Sequence, residues 1–390
     1  KSRKMKRRQF TATAALALGT TTALRAADEP LPRDGKNLSF RNELRDSIER
    51  GLAWLRAQQN ADGSFGKDTL HPALSALPLI AFQREPTGRS AGADFTARGY
   101  AYLRGFIQPD GGIYNKESGL ANYNTSVCLL ALAGANDPKD NPLLLKARGY
   151  VVGQQASGMA KSETDGGIGY GSVGASPKRG HPDLDNTVVA LEALRATKHL
   201  VADKPAEKDL NWQAAIDFVA RCQNLPSNKQ PWASGDPANK GGFIYYPGYS
   251  NAGEVTIEGG GKALRSYGSM SYAGLLSFIY ADVKKDDTRV TAAIDWLRKN
   301  YTLAENPGLE QQGYFYYLHL MAKALTAAGF TEFEVGGKKV DWRRELAMRL
   351  LKLQQQDGSW TNESPRWKEN NPVLVTSYCV MTLEILYAQM

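Results

Sequence analysis

The sequence predicts an all-α protein that folds as a single closed (α/α)6 toroid, with six inner helices, six outer helices and long loops. Three observations support this prediction. Amphipathic helical segments that end in Gly-rich turns recur six times along the chain. A more apolar segment follows each of them, and a helix that is apolar on every side must be enclosed by other elements. Segments with the alternation of a β-strand are scarce.

The amphipathic segments are predicted to be the outer helices. The first, RGLAWLRAQQNADGSFG, shows the common features, which are a helical spacing of apolar residues, a Gly-rich turn and an aromatic residue just after the turn. The segments of this kind begin at Arg50, Arg98, Ala147, Ala214, Ala292 and Leu346.

The apolar segments, rich in Ala, Leu, Ser and Tyr, are predicted to be the inner helices. They begin at His71, Tyr123, Leu184, Ser266, Gln312 and Asn371. A closed ring is favoured over an open superhelix of helix pairs because the repeats stop at six and no end cap with a polar outer face is evident. Short ribbons are expected at Gly241–Gly248 and Thr331–Val340, and a long loop at Asn251–Lys262.

The first 27 residues have the features of an export signal. They combine a basic start, a modestly apolar middle and small residues near Ala26 and Ala27. Arg7 and Arg8 resemble the pair of a twin-arginine signal. We therefore expect an export signal at 1–27, a linker at 28–39 and the toroid at 40–390. The mature protein would be periplasmic or otherwise extracytoplasmic, with peripheral contact to a membrane left open.

The charge of the chain argues against a nucleic-acid partner. The net charge of +8 comes from 48 basic and 40 acidic residues. Seven of the basic residues lie in 1–27, which leaves 41 basic residues against 40 acidic ones in the rest of the chain. A nearly neutral body lacks the basic surface that nucleic acids require.

The repeats carry a resemblance to a known superfamily. Arg50 to Phe65 reads R-G-x2-W-L-x3-Q-x3-G-x-F, and Gln354 to Trp360 reads Q-x3-G-x-W. These segments resemble the QW repeats of squalene-hopene and oxidosqualene cyclases. The Gly-Gly-aromatic turns resemble the β-subunit repeats of protein prenyltransferases. The resemblance spans roughly residues 40–390 and implies an α/α toroid, in which the repeat residues are structural.

The prenyltransferase activity is not expected. That family holds zinc with Asp, Cys and His, but Arg265 and Tyr267 stand where the Asp and Cys belong, and the last inner helix begins without a histidine. The sequence contains no P-loop and no dinucleotide fingerprint. We therefore expect no metal and no cofactor.

The cyclase resemblance implies a proton donor at the third inner helix. Cyclases carry the signature D-x-D-D-T-A, whose middle Asp protonates an alkene or epoxide. Here the stretch reads Asp183-Leu184-Asp185-Asn186-Thr187-Val188. Asp185 matches the donor, with Asp183 and Asn186 beside it, and Asn186 departs from the family's last Asp. The purely structural interpretation stays open, because Asp183 is also a good N-cap and acids suit the first helical turn.

A cyclase also needs a dry cavity with aromatic faces that stabilise carbocations. The inner segments are rich in aromatic residues, and only a subset can face the lumen. The candidate substrate-binding residues are His181, Tyr123, Tyr267, Tyr272, Tyr314, Tyr316 and His319, with the two histidines as candidates for orienting the acid.

Three functions stay open from sequence. The favoured one is an enzyme, a terpene cyclase/mutase-like isomerase that protonates an isoprenoid chain through Asp185. The second is a non-catalytic exported toroid that binds a lipid, peptide or glycan. The third is a polysaccharide lyase or hydrolase, for which a polar groove with Tyr267, His319 and Asn186 converging is expected. Three features oppose the first function. Cyclases of this family resemble a toroid plus a second α-barrel domain, and this chain has room for one toroid. The acid signature is altered at Asn186, and the export signal directs the protein away from the cytosol, where isoprenoid substrates are made.

Overall fold

The computed structural model describes residues 35–157, 162–171, 181–203, 208–257 and 261–390. The predicted export signal at 1–27 lies outside these residues and stays a prediction. The first helix begins at Gly35, inside the stretch assigned to the linker, so the helical body starts five residues before the predicted boundary at 40.

Twelve α-helices make up the described part of the chain. The outer helices are α1 (Gly35–Ala57), α3 (Asp94–Arg104), α5 (Asn141–Gly153), α7 (Trp212–Arg221), α9 (Thr288–Lys299) and α11 (Trp342–Leu353). The inner helices are α2 (Ala73–Arg84), α4 (Ala121–Gly134), α6 (Leu184–Ala196), α8 (Gly268–Tyr280), α10 (Tyr314–Ala327) and α12 (Pro372–Tyr387). Each predicted segment therefore overlaps one helix of the predicted kind, and the outer helices begin 2 to 15 residues before the predicted starts.

The inner helices form a closed ring. Each one packs against the next, from α2 to α4, α6, α8, α10 and α12, and α12 packs back against α2. The outer helices pack on the outside of this ring, as α3 does on α2 and α9 on α8. Every residue of α8 is buried, as expected of a helix that is apolar on all sides. These contacts confirm the toroid and exclude the open superhelix.

The glutamine of the repeat joins neighbouring outer helices. Gln59 Nε2 donates to the Phe95 carbonyl of α3 at 2.8 Å, and Gln223 Nε2 donates to the Arg289 carbonyl of α9 at 2.8 Å. Gln354 Nε2 donates to the Ser47 carbonyl of α1 at 3.0 Å, so the last repeat is bonded to the first. The QW-type glutamine therefore helps to close the ring, which is a structural role.

The glycine of the repeat allows the close approach that this bonding needs. Gly241 has φ +97°, and a Cβ there would lie 2.0 Å from the Ala292 carbonyl oxygen of α9. Gly166 has φ +85°, and its Cβ would lie 1.9 Å from the Ala214 carbonyl oxygen of α7. Both the backbone conformation and the space exclude other residues at these turns.

The described strands form two short antiparallel ribbons. One pairs β3 (Phe333–Val335) with β4 (Lys338–Val340), within the predicted ribbon at 331–340. The other pairs β1 (Glu254–Thr256) with β2 (Lys262–Leu264), inside and just after the stretch expected to be a loop. The predicted ribbon at 241–248 forms isolated bridges, Gln223 with Phe243 and Tyr246 with Tyr249, and no strand.

Candidate functional site

The start of α6 is an ordinary capped helix terminus in its local geometry. Asp183 is the N-cap, with extended backbone angles of φ −142° and ψ 164°, and its Oδ1 accepts the Asn186 amide at 2.8 Å. Asn186 Nδ2 donates to Asp183 Oδ2 at 2.9 Å, and Tyr245 also hydrogen-bonds this carboxyl. The cap interpretation is therefore correct for Asp183, and both amide groups of Asn186 are engaged with Asp183 and not with Asp185.

Asp185 has a different environment from Asp183. Tyr316 of α10 donates its hydroxyl proton to Asp185 Oδ1 at 2.5 Å. Asp183 is 1% exposed, whereas Asp185 and Tyr316 are only partly buried. Asp185 therefore keeps access to open space beside the helix terminus, while the cap does not.

Burial raises the pKa of both carboxyls. For Asp183 burial is the main cause, the charge of Asp185 adds to it, and the donors from Asn186 and Tyr245 oppose it. For Asp185 burial again raises the pKa, and the Tyr316 hydrogen bond opposes it. Two neighbouring buried carboxyls do not both ionise readily, so the pair tends to retain a proton.

Tyr316, the tyrosine bonded to Asp185, belongs to an aromatic cluster. Its ring packs against that of Tyr378 with centroids 5.6 Å apart, and Tyr378 contacts Tyr123 through their hydroxyls at 3.3 Å. Burial is the main cause that raises the pKa of each of six phenols, and negative charge at Asp185 raises it further. They are Tyr123, Tyr170, Tyr245, Tyr267, Tyr316 and Tyr378. These phenols therefore stay neutral in the electrostatic range of Asp185.

A cavity of about 980 Å³ occupies the lumen above this cluster. Tyr123, Tyr316 and Tyr378 line its lower end, in the N-terminal halves of their helices. Residues at and beyond the C-terminal ends of the inner helices line its mouth. Apolar side chains form most of the wall between, among them Leu77, Ile80, Val127, Leu130, Val188, Leu320 and Met381. Asp185 lies beneath this floor, bonded to Tyr316.

Two side-chain pairs bridge α6 and α10 across the lumen. The lower pair is Asp185 with Tyr316, and the upper pair is the ion pair of Glu192 with Lys323. Seven residues separate the pairs on both helices, which is two helical turns or about 10.5 Å. Both helices pack on α8, and no α8 residue is among the described residues that line the cavity. The two pairs therefore wall the cavity off from α8.

His319 presents a basic nitrogen to the cavity. The Thr382 hydroxyl donates to the Tyr378 carbonyl at 2.7 Å, and His319 Nδ1 lies 3.0 Å from Thr382 Oγ1. Because the Thr382 proton is used, Nδ1–H must donate to Thr382, which leaves a lone pair on Nε2. Burial lowers the pKa of His319 well below its usual value, and the charges of Lys323 and Arg84 lower it further. His319 is therefore a neutral imidazole.

The other predicted site residues are distributed unevenly. Tyr267 lies near Asp185, and its hydroxyl accepts from Asn251 Nδ2 at 3.2 Å. His181 is exposed and packs edge-on against Tyr246 at 4.4 Å. Tyr314 points outward, since Arg349 of α11 donates to its hydroxyl. Tyr272 is buried between helices against Tyr317. The structure thus brings Tyr123, Tyr316 and His319 to the cavity and leaves Tyr272 and Tyr314 away from it.

Several residues of the site were missed in the sequence. Lys323 is the one Lys, Arg, Asp or Glu of α10, and Glu192 lies between the apolar residues Leu191 and Ala193 of α6. An ionisable residue within an apolar segment was a usable signal. Tyr170 and Tyr245 follow the Gly-rich turns and hydrogen-bond each other beside Asp183. Nothing in the sequence pairs these two loops.

The described residues contain neither a metal site nor a membrane-spanning helix. No group of three or more His, Cys, Asp or Glu side chains in this part of the chain is arranged to hold a metal ion. None of the described helices is long and apolar enough to cross a membrane.

No protein-family model and no curated protein matches the sequence. Solved structures do match. The type II terpene cyclase MstE from Scytonema, in complex with its substrate geranylgeranyl dihydroxybenzoate, is similar with a TM-score of 0.53 and 13% identity. The match covers 90% of this chain and 100% of that one, so that cyclase has the length of a single toroid. The presence of only one toroid therefore does not count against a cyclase.

Carbohydrate enzymes are similar to the same degree. A GH76 α-mannanase from Bacteroides thetaiotaomicron has a TM-score of 0.54 and 9% identity, over 89% of this chain and 96% of that one. A glycosidase has a TM-score of 0.50 and 11% identity, over 92% and 100%. Structural similarity at these sequence identities establishes the fold only, and the activity has to be inferred from the residues of the site. The predicted fold is confirmed at this level: the described part of the chain is an α/α toroid.

Proposed function

We propose that this protein is a protonation-initiated isoprenoid cyclase in which Asp185 is the general acid. The observation that carries the proposal is the position of Asp185, bonded to Tyr316 at the aromatic floor of an apolar cavity. Three donor groups on Asp183 favour its ionised form, whereas Asp185 has one donor. Asp183 is held as the cap of α6, so we assign the donated proton to Asp185, on the oxygen that Tyr316 does not contact.

The reaction follows from these groups. The Asp185 O–H bond breaks and a C–H bond forms at one alkene carbon, which leaves a cation on the other carbon. Neighbouring alkenes attack this cation in turn and close the rings. Tyrosine faces stabilise the migrating charge as they stabilise other cations. Loss of a proton from a carbon next to the last cation restores an alkene, so substrate and product have the same mass.

His319 is suited to receive the last proton. Its Nε2 lone pair is unused by the Thr382 hydrogen bond, and the imidazole lies on the cavity wall one turn above Tyr316. Replacing His319 by Phe is expected to leave substrate consumption within about threefold and to shift products from alkene toward alcohol, because water then ends the reaction. Product analysis by gas chromatography and mass spectrometry tests this. An unchanged product pattern would contradict the role.

Tyr316 tunes the acid. Its hydrogen bond lowers the pKa of Asp185, so Tyr316→Phe should raise that pKa further. A hydrogen bond to a charged group is worth roughly 1.5–3 kcal/mol, and one pKa unit is about 1.4 kcal/mol. In a pH–rate profile, the pH at which the rate falls is expected to be higher for Tyr316→Phe than for the wild type by about one unit or more. A profile that stays in place would show that Tyr316 does not act on the acid.

Glycan hydrolysis is the second candidate, because carbohydrate enzymes share the fold. Its expected groups do not converge in the described residues. Asn186 is buried against Asp183. Tyr267 directly precedes α8 and does not line the cavity, whereas His319 does. A plugged lumen would favour the non-catalytic toroid that binds a lipid, peptide or glycan. Among the described residues the lumen contains a cavity of about 980 Å³ and no plug.

The test compares the two substrate classes directly. The purified protein is incubated with squalene, with geranylgeranyl and farnesyl chains, and separately with α-mannan oligosaccharides. An isomer of an isoprenoid substrate supports the proposal. Release of sugars without any isoprenoid product would overturn it in favour of a glycosidase.

A further inference from the structure

Arg84 is a cation in the cavity without an ionic partner. It is the last residue of α2, is partly buried and lines the cavity. His319, Lys323 and Glu384 line the same cavity as Arg84. Arg84 forms no ion pair with any of the described residues.

The neighbouring charges do not neutralise Arg84. Glu192 is paired with Lys323 in an ion pair. Glu384 is 4% exposed, and neither of its carboxyl oxygens has a hydrogen-bond partner. Burial raises the pKa of Glu384 well above its usual value, which favours its neutral form. The upper half of the cavity therefore carries an excess of positive charge.

A guanidinium that faces a mostly apolar cavity loses hydration, and a bound anion compensates for this loss. The planar fork of arginine matches a carboxylate or phosphate with two parallel hydrogen bonds. We propose that Arg84 is the binding site for the oxyanion head group of an apolar-chain ligand. The proposal rests on the proposed function in one respect, because it names the class of the cyclase substrate as an amphiphile.

The position of Arg84 fixes the direction of the ligand. The level of Lys323 is about 10.5 Å above Tyr316, from the seven residues that separate them on α10. Arg84 is the last residue of α2, so it also lies toward the end of the cavity that the C-terminal ends of the inner helices line. With its head group held there, the chain extends down the apolar wall toward the aromatic floor. The end of the chain remote from the head group is the end that approaches Tyr316 and, beneath it, Asp185.

Binding of saturated chains tests this without any reaction, because they have no alkene to protonate. Phytanic acid, phytanyl phosphate, phytanol and methyl phytanate are titrated into the wild-type protein, Arg84→Gln and Arg84→Lys, by calorimetry at neutral pH. Arg89→Gln, in the exposed loop after α2, is the control. We expect the wild type and the control to bind at least one of the two anions about tenfold more tightly than phytanol. Arg84→Gln should bring this ratio to about one, with phytanol binding unchanged, and Arg84→Lys should keep part of it.

Two results would overturn the site. One is equal binding of acid, phosphate, alcohol and ester by the wild type, or binding of none of them. The other is a preference for anions that survives in Arg84→Gln. Asp185→Asn should bind all four ligands as the wild type does. Cyclisation without a head-group preference would support the proposed function and contradict this site. Anion binding without cyclisation would support this site and contradict the proposed function.

Discussion

Replacing Asp185 by Asn is expected to reduce cyclisation by about 10²- to 10⁴-fold, the range over which a general acid contributes. The amide retains the shape of the side chain and can still pair with the Tyr316 hydroxyl, but it has no proton acidic enough for an alkene. Because Asp185 is not the cap of α6, the thermal unfolding temperature should stay close to that of the wild type. The measurements are product formation and thermal unfolding on the same preparations.

Asp183→Asn is the matched comparison. It keeps one acceptor oxygen for the Asn186 amide but loses a carboxylate that receives hydrogen bonds from Asn186 and Tyr245. We expect a loss of stability of about 1 kcal/mol or more and a smaller effect on the rate than Asp185→Asn. If Asp183→Asn abolished turnover while Asp185→Asn did not, the proton would have to be assigned to Asp183.

The rate of cyclisation is expected to fall as the pH rises. The active form of Asp185 is protonated, and burial raises its pKa. Activity should therefore be complete at low pH, wherever the fold persists, and fall as the pH rises through that pKa. A rate that increases over the same interval would indicate a general base.

Replacing Gly241 by Ala is expected to destabilise the toroid by about 2–5 kcal/mol. The new Cβ would lie 2.0 Å from the Ala292 carbonyl oxygen, and φ at this position is +97°. The atom that the new Cβ would meet belongs to the backbone of α9, so no flexible side chain can move to relieve the clash. The free energy of unfolding from urea denaturation measures the effect.

Gly149→Ala is the control for that substitution. Gly149 lies within α5, and a Cβ there meets no atom within 4 Å. Alanine in a helix is favoured over glycine by about 1 kcal/mol, so this variant should be slightly more stable than the wild type. Equal effects of the two substitutions would contradict the role given to the repeat glycine.

The repeats explain why the fold could be predicted from sequence. Gln59, Gly63 and Phe65 sit at fixed spacing after a helix, and each has a local structural role that recurs around the ring. The same pattern at Gln354, Gly358 and Trp360 bonds to the first repeat and closes the ring. The segment at 251–262 was harder, because a three-residue ribbon has too few residues to show an alternating pattern.

The site could be predicted only in part. Asp183 and Asp185 are neighbours in sequence, and their motif was recognisable. The partner of Asp185 was not, because Tyr316 comes from α10, which is two places away in the ring and 131 residues away in the chain. Tyr314 and Tyr316 are both tyrosines of the same segment, so the sequence alone does not distinguish them. They are two residues apart, and at about 100° per residue they point to nearly opposite sides of the helix. Side-chain direction around the lumen therefore had to come from the structure.

Incubation in D₂O is the most direct test of protonation by Asp185. A geranylgeranyl substrate is supplied to the wild type and to Asp185→Asn, and the products are analysed by mass spectrometry. The wild type should give a cyclic isomer one mass unit heavier than the substrate, because one deuteron from the acid is retained in the product, and Asp185→Asn should give little of it. A cyclic product without deuterium, or one formed equally by both proteins, would contradict protonation by Asp185.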